Sequence, residues 1–330
     1  MNIRTLIADM WNDTRAVSPV VATLVLIVVA ITGAAGVALM QGQFASEVAE
    51  DTNTEELSTA AATELVIAGS TTVQPVSELL AEAYMHEHKG TRITVQGGGS
   101  GAGISSAGLD IVDIGAASRN VKDDPELVKY PDLETYQVGG SAVVVIVNEA
   151  TGLINVTKDE IEYTFTNGTG ASITNLTGIT EVYMRAGASG TQDTFCDWLG
   201  IGADEFHGDV VSLSGNAAVL HKVATTPASI GFVDFGFADS SDDVIAIGLF
   251  DGHQYDATPA NIKAQLKDIT PTDPTDDTYP GGKNGLIRPL NYITNGYPSV
   301  MEQGFIDFAR SPASAQYFTE CGYFAITEFA

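Results

Sequence analysis

Leu65-Val66-Ile67-Ala68-Gly69-Ser70-Thr71-Thr72 is a short apolar run that breaks into one glycine and three hydroxyl residues, and its reading decides the fold. Val76, Leu79, Leu80 and Ala83 follow at helical spacing, so the stretch reads as a strand, a turn and a helix N-terminus. The pattern returns twice. Ile93-Thr94-Val95 leads into the glycine-rich loop 97–103 and a short helix, and Val182-Tyr183-Met184-Arg185 leads into Ala186-Gly187-Ala188-Ser189-Gly190-Thr191 and a helix carrying Phe195, Trp198 and Leu199. Strands that alternate with amphipathic helices define an α/β class.

Each of these junctions leaves backbone N–H groups unpaired at the positive end of a helix dipole, which is a ready place for an anion. Glycine lets the backbone approach closely, and Ser or Thr adds a hydroxyl donor. Sharper chemistries fail on the letters themselves. A nucleotide-hydrolysing loop needs Lys-Ser or Lys-Thr after its second glycine, whereas residues 98–103 are followed by Ile104-Ser105. The spacing Gly97, Gly99, Ala102 fits only a loose dinucleotide fingerprint. A nucleophile elbow needs Gly-x-Ser-x-Gly, and Gly98, Ser100, Ala102 lacks the final glycine. No catalytic residue is assigned.

The chain of 330 residues carries a formal net charge of -27, which excludes nucleic acid as a partner because that needs a basic footprint. An acidic protein that binds an anion must do so through short-range donors and a locally placed arginine rather than through its overall field. Cys196 and Cys321 are the two cysteines, in no metal-ligand spacing, and composition leaves open whether they pair. The five histidines are scattered, so neither a metal site nor a cofactor is expected.

Residues 17–40 carry no charge and are long enough to cross a hydrocarbon core, which takes roughly 20 residues. Arg4 and Arg15 precede this segment, and Glu47, Glu50, Asp51, Glu55 and Glu56 follow it, which places the N-terminus inside and the rest of the chain outside the cell. A cleaved signal peptide, with its shorter apolar region, is the competing reading. Residues 41–63 read as an acidic spacer, and acceptor triplets for glycosylation begin at Asn155, Asn167 and Asn175.

Two resemblances sharpen this reading. Arg15-Ala16-Val17-Ser18-Pro19-Val20, followed by the apolar segment, resembles the start of archaeal type IV prepilins. That implies a leader over 1–16, a prepilin peptidase that cuts after Ala16, and a transmembrane helix over 17–40 that stays on the mature chain. The loops at 69–72, 97–103, 113–119 and 185–191 together resemble the phosphate-binding component of phosphate ABC importers, with four motifs in that family's order.

The second resemblance implies a bilobal, type II periplasmic-binding-protein-like fold with two hinge strands. One strand falls over 138–148 and the return over 290–294. Lobe I would comprise 64–137 with 289–330, and lobe II 138–288. The implied ligands of inorganic phosphate are Thr71, Thr72, Ser100, Arg185, Ser189, Gly190 and Thr191, with Ser118 and Arg119 at the third motif.

Where many members carry an Asp that accepts the proton of bound phosphate, this chain has Ser118 followed by Arg119, and Gly187 replaces an acid that steadies the binding arginine. A hydroxyl can rotate to accept or to donate, so the choice between phosphate and sulfate, arsenate or molybdate stays open. The implied role is an extracellular receptor on the cell membrane that delivers its cargo to ABC permease subunits. A surface filament subunit bearing the same head is the alternative.

Overall fold

The computed structural model describes residues 63–168, 176, 178–267, 278–282 and 284–330. The expected leader, the expected membrane span over 17–40, residues 41–62 of the spacer and Asn175 lie outside them. Among the described residues, no helix is long and apolar enough to cross a membrane.

The described chain opens with β1 (Thr63–Gly69), α1 (Gln74–Glu87), β2 (Thr91–Gly97), α2 (Ser100–Gly108) and β3 (Ile114–Ala117), and then runs into one long strand, β4 (Leu133–Asn148). Next come β5 (Asn155–Thr157), α3 (Lys158–Asn167), β6 (Glu181–Arg185), α4 (Gly190–Leu199), β7 (Val211–Leu213), α5 (Asn216–Thr225) and β8 (Ser229–Asp234). They are followed by α6 (Phe235–Asp239), β9 (Val244–Ala246), β10 (Gly248–Phe250), β11 (Gln254–Tyr255) and α7 (Pro259–Lys267). The chain returns through β12 (Ile287–Asn295) and closes with α8 (Val300–Ala309), α9 (Ala315–Glu320) and β13 (Phe324–Ala325).

Two half-sheets share β4. β1 pairs in parallel with β2 on one side and β3 on the other, so the loops after all three strands leave from one edge. β12 joins β3 to β4, pairing antiparallel with β4 from Leu133↔Asn295 to Ala142↔Ile287. The register shifts between Leu290 and Asn291, which leaves Val138 of β4 as an extra residue and bends the strand there. From Val143 onward β4 changes partner and pairs with β8, and β6 and β7 extend this second half-sheet in parallel. The crossing strand read at 138–148 thus begins at Leu133, because its first residues already have β12 as a partner.

Burial follows the pattern of the letters. Val143, Val144, Val145, Ile146 and Val147 are fully buried, as expected of a strand covered on both faces. Leu65, Ile67, Val76, Leu80, Tyr292 and Phe305 form a core around β1 and α1. On the other side of β4, Phe165, Phe195 and Phe232 cluster, with Phe195 and Phe232 stacked at 4.0 Å. Two short helices start on reciprocal caps, Thr157 with Glu160 and Ser299 with Glu302. Cys196 and Cys321 are free thiols, and burial pushes both up to about 12.

The close seating of α2 on the sheet depends on Gly103. A Cβ there would lie 2.5 Å from the carbonyl oxygen of Ala116, 2.8 Å from that of Ala68 and 2.8 Å from Cα of Gly69, all of them backbone atoms that cannot swing aside. Gly103→Ala is expected to cost about 1–3 kcal/mol by overpacking, whereas Gly178→Ala, which meets nothing within 4 Å, should stay within about 0.5 kcal/mol of the parent. Urea denaturation of the two variants tests the contrast.

Candidate functional site

The loops that follow β1, β2 and β3 meet at one edge of the first half-sheet. Gly69 contributes its carbonyl to the N–H of Gly99 at 2.8 Å, and Ser70 donates its N–H to the carbonyl of Ala116 at 2.8 Å, so the three loops are stitched together by backbone. Their hydroxyls then form a cluster. Ser70 Oγ accepts the N–H groups of Thr72 and Val73 at 3.2 and 3.4 Å and donates to Ser118 Oγ at 3.0 Å. The N–H of Ser118 donates to Ser100 Oγ at 3.0 Å. Ser70, Thr72, Ser100 and Ser118 are all buried.

The second half-sheet brings its own set from the opposite side. β6 ends on Arg185, Ser189 caps α4 by accepting the N–H of Gln192 at 3.3 Å, and Gly190 and Thr191 form the first turn of that helix. The two sides touch. Arg185 Nη2 donates to Thr71 Oγ1 at 3.2 Å, and the N–H of Gly101 donates to the carbonyl of Ala188 at 3.1 Å. A side chain on Gly190 would collide with the hydroxyls of Ser100 at 2.3 Å and Ser118 at 2.9 Å, so glycine is what lets this helix terminus reach them. The structure therefore brings Thr71, Thr72, Ser100, Ser118, Arg185, Ser189, Gly190 and Thr191 to one place.

Arg119 is turned to other work. Its Nε donates to Asp193 Oδ2 at 2.7 Å, and Nη1 and Nη2 donate to the Glu126 carboxylate at 2.8 and 2.7 Å. Burial and these acids act on it in opposite directions, and the net effect raises the Arg119 guanidinium above its usual value. Lys122 also lies 3.4 Å from Asp193. Since Asp193 belongs to α4 and Arg119 follows β3, the cluster bridges the two half-sheets beside the hydroxyl loops.

Three residues that sequence reading did not assign complete the site. Asn216 opens α5 and is fully buried; its Nδ2 donates to Thr72 Oγ1 at 2.8 Å, and its Oδ1 accepts from Arg185 Nη1 at 2.8 Å. Arg288 of β12 donates through Nη2 to Asp234 Oδ2 at 2.6 Å and to Thr72 Oγ1 at 3.0 Å, and through Nη1 to Thr191 Oγ1 at 3.1 Å. Asp234, at the end of β8, is fully buried. Burial pushes its carboxyl up, with the Arg288 guanidinium opposing that shift. The one sequence signal was a lone arginine inside the apolar run Leu286-Ile287-Arg288-Pro289-Leu290.

Arg185 and Arg288 are each about 2% exposed, and the Nε of each has no hydrogen-bond partner. Burial and then the nearby charge of Arg288 lower Arg185 to about 10, with Asp234 opposing. Two guanidiniums against one carboxylate leave a buried surplus of positive charge surrounded by hydroxyl and backbone donors, and the chemistry of such a place is to hold an anion. A cavity of about 510 Å³ lined by Arg119, Lys122, Asp124, Thr194, Asp197 and Arg288 flanks it. Among the described residues no group of three or more His, Cys, Asp or Glu side chains is placed to hold a metal ion.

The domain model of the PBP superfamily matches residues 54–313 of this α/β chain, and the chain belongs to that superfamily. Among curated relatives, it is 26% identical over 268 residues to the phosphate-binding protein PstS of Bacillus subtilis, covering 80% of this chain and 81% of the relative. The PstS of Borreliella burgdorferi is 24% identical, covering 79% of this chain and 89% of its own. Among solved structures, a candidate phosphate ABC transporter substrate-binding protein with bound phosphate from Clostridium perfringens superposes with a TM-score of 0.67 at 24% identity. That match covers 80% of this chain and all of that one. An ABC-type phosphate transport receptor from Vibrio cholerae gives 0.60 at 23% identity, covering 79% and 99%.

The Arg119–Asp193 pair joins the first half-sheet to the second, so any opening between them breaks it. A partly buried charge-assisted bond of this kind contributes about 1.5–3 kcal/mol. Asp193→Asn is therefore expected to lower the closed-to-open ratio of the unliganded chain by roughly tenfold or more. Small-angle scattering should read a larger radius of gyration in the variant. An unchanged radius would remove the pair from the closure equilibrium.

Proposed function

We propose that this chain is an extracytoplasmic receptor that captures inorganic phosphate between its two lobes and presents it to the permease of an ABC importer. The observation that carries the reading is the buried, positively charged and donor-lined site built by Arg185, Thr71, Thr72, Ser100, Ser118, Ser189, Gly190 and Thr191. Relatives named for phosphate binding, spanning most of both chains, support the choice of cargo. Stripping water from a multiply charged anion is costly, and each charge-assisted hydrogen bond returns about 1.5–3 kcal/mol, so several converging donors leave useful affinity. No bond is made or broken, and binding alone is the activity.

In this reading Arg119 closes the cleft rather than contacting the ion, because Glu126 and Asp193 already occupy its guanidinium. The anchor rests on sequence. The uncharged segment 17–40, with Arg4 and Arg15 before it and acids after it, makes a single membrane pass with the head outside, and a prepilin-type peptidase would process the chain after Ala16.

Calorimetric titration of the full chain in detergent with phosphate, sulfate, arsenate and molybdate tests the cargo. Phosphate is expected to bind at micromolar or better affinity. Arg185→Ala, which removes one of the two buried cations from the hydroxyls and the helix terminus, should weaken it by about 2–5 kcal/mol. Equal phosphate affinity in parent and variant would place the site elsewhere. For the topology, protease added to intact cells should release the head. A head protected until lysis would overturn the anchor.

A further inference from the structure

Thr72 and Thr191 face each other across the cleft, and both hydroxyl oxygens are already approached by fixed donors. Thr72 Oγ1 accepts from Asn216 Nδ2 at 2.8 Å and from Arg288 Nη2 at 3.0 Å, which occupies both of its lone pairs. Its own proton therefore has to be donated. Within the protein the acceptor it finds is Thr191 Oγ1 at 3.5 Å, the outer limit of a hydrogen bond. Thr191 Oγ1 in turn accepts from Arg288 Nη1 at 3.1 Å, and its proton points to Asn216 Oδ1 at 3.4 Å, an oxygen that already receives Arg185 Nη1 at 2.8 Å and the N–H of Asp234 at 3.3 Å. Two hydroxyl protons are thus held on long bonds at the place where a shorter acceptor would take both.

Arg288 is itself held from behind. Asp234 Oδ2 takes its Nη2 at 2.6 Å, while Asp234 Oδ1 is committed to Ser141 Oγ at 2.9 Å and to the N–H of Gly236 at 3.1 Å. The carboxylate is satisfied by these three groups and is spent on orienting the guanidinium. Arg288 pairs with Ser141 in the β4–β12 register, and Asp234 pairs with Val143 in the β4–β8 register. The ion pair therefore sits where β4 passes from one half-sheet to the other, and from there one guanidinium reaches Thr72 of one lobe and Thr191 of the other.

We propose that Arg288, oriented by Asp234, is a second cation of the anion site and a specificity-determining residue: it fixes Thr72 and Thr191 as donors, and so selects oxyanion oxygens that carry charge and no proton. This rests on the phosphate reading above and adds to it which oxygens the site wants. Protons of the bound anion are left to hydroxyls whose orientation this guanidinium does not set, the Ser100–Ser118 cluster first among them. The site then favours the dianion, with its more numerous bare oxygens, over the monoanion.

The test is phosphate titration of the full chain at about pH 6, where the ion is mainly singly charged, and at about pH 8, where it is mainly doubly charged. The decisive variant is Arg288→Gln combined with Asp234→Asn, which removes both charges and leaves no lone buried carboxylate. A folded double variant should lose at least about tenfold in phosphate affinity at the higher pH and clearly less at the lower. A loss of the same size at both, or affinities within about twofold of the parent, would overturn the assignment. Should the double variant not fold, Arg288→Lys decides: it keeps the charge beside Asp234 but cannot fork to both threonines, so a loss of about tenfold or more at the higher pH is expected, and parent-like affinity would overturn it. A parent chain that binds no phosphate would overturn the functional reading instead, and the two failures are distinct.

Discussion

The pairing of Arg288 with Asp234, at 2.6 Å and almost without exposure, is the contact on which the rest of this molecule turns. A charge taken so far from water needs a partner, and each of these supplies the other's. The pair also fixes a position. Asp234 closes β8, Ser141 on β4 donates to it, and Arg288 opens β12, so three strands from both halves of the fold are tied at the point where β4 changes neighbours. From that knot the guanidinium extends into the cleft. An acidic chain thereby keeps a small positive centre, because Arg185 adds a second buried cation and no second carboxylate compensates it among the described contacts there.

The topology explains why so few residues suffice. Parallel strands deliver the ends of β1, β2 and β3 to one edge, and β6 and the starts of α4 and α5 deliver theirs to the facing edge. Donors from sequence-distant loops then share one small volume. Glycines keep that volume small: α2 lies against the sheet at Gly103, and α4 reaches the serine cluster at Gly190.

The hydroxyl and glycine loops were legible in the sequence because their information is local: a β-branched run, a glycine and a Ser or Thr at a helix start imply one geometry wherever they occur. Arg185 was assigned through the family resemblance, from its place in the fourth motif at the end of a strand that opens such a loop. Arg288 was not. Its partners lie 216, 97 and 54 positions away, and no local spacing carries a contact of that range. Asn216 was hidden likewise, as an ordinary helix-start residue until Thr72 and Arg185 are brought to it. Arg119 was read as a ligand from its place in a motif. Asp193, on the facing half-sheet, and Glu126, in the turn that follows, take up its guanidinium instead.

The lobes are joined by hydrogen-bonded strands rather than by slack loops, and this has a mechanical consequence. β4 runs unbroken from one half-sheet into the other, and its ladder with β12 yields at one irregularity, beside Val138. A ladder resists shear and splaying but tolerates bending across a bulge. The irregularity beside Val138 thereby gives the ladder a crease, like a leaf hinge and unlike a ball joint.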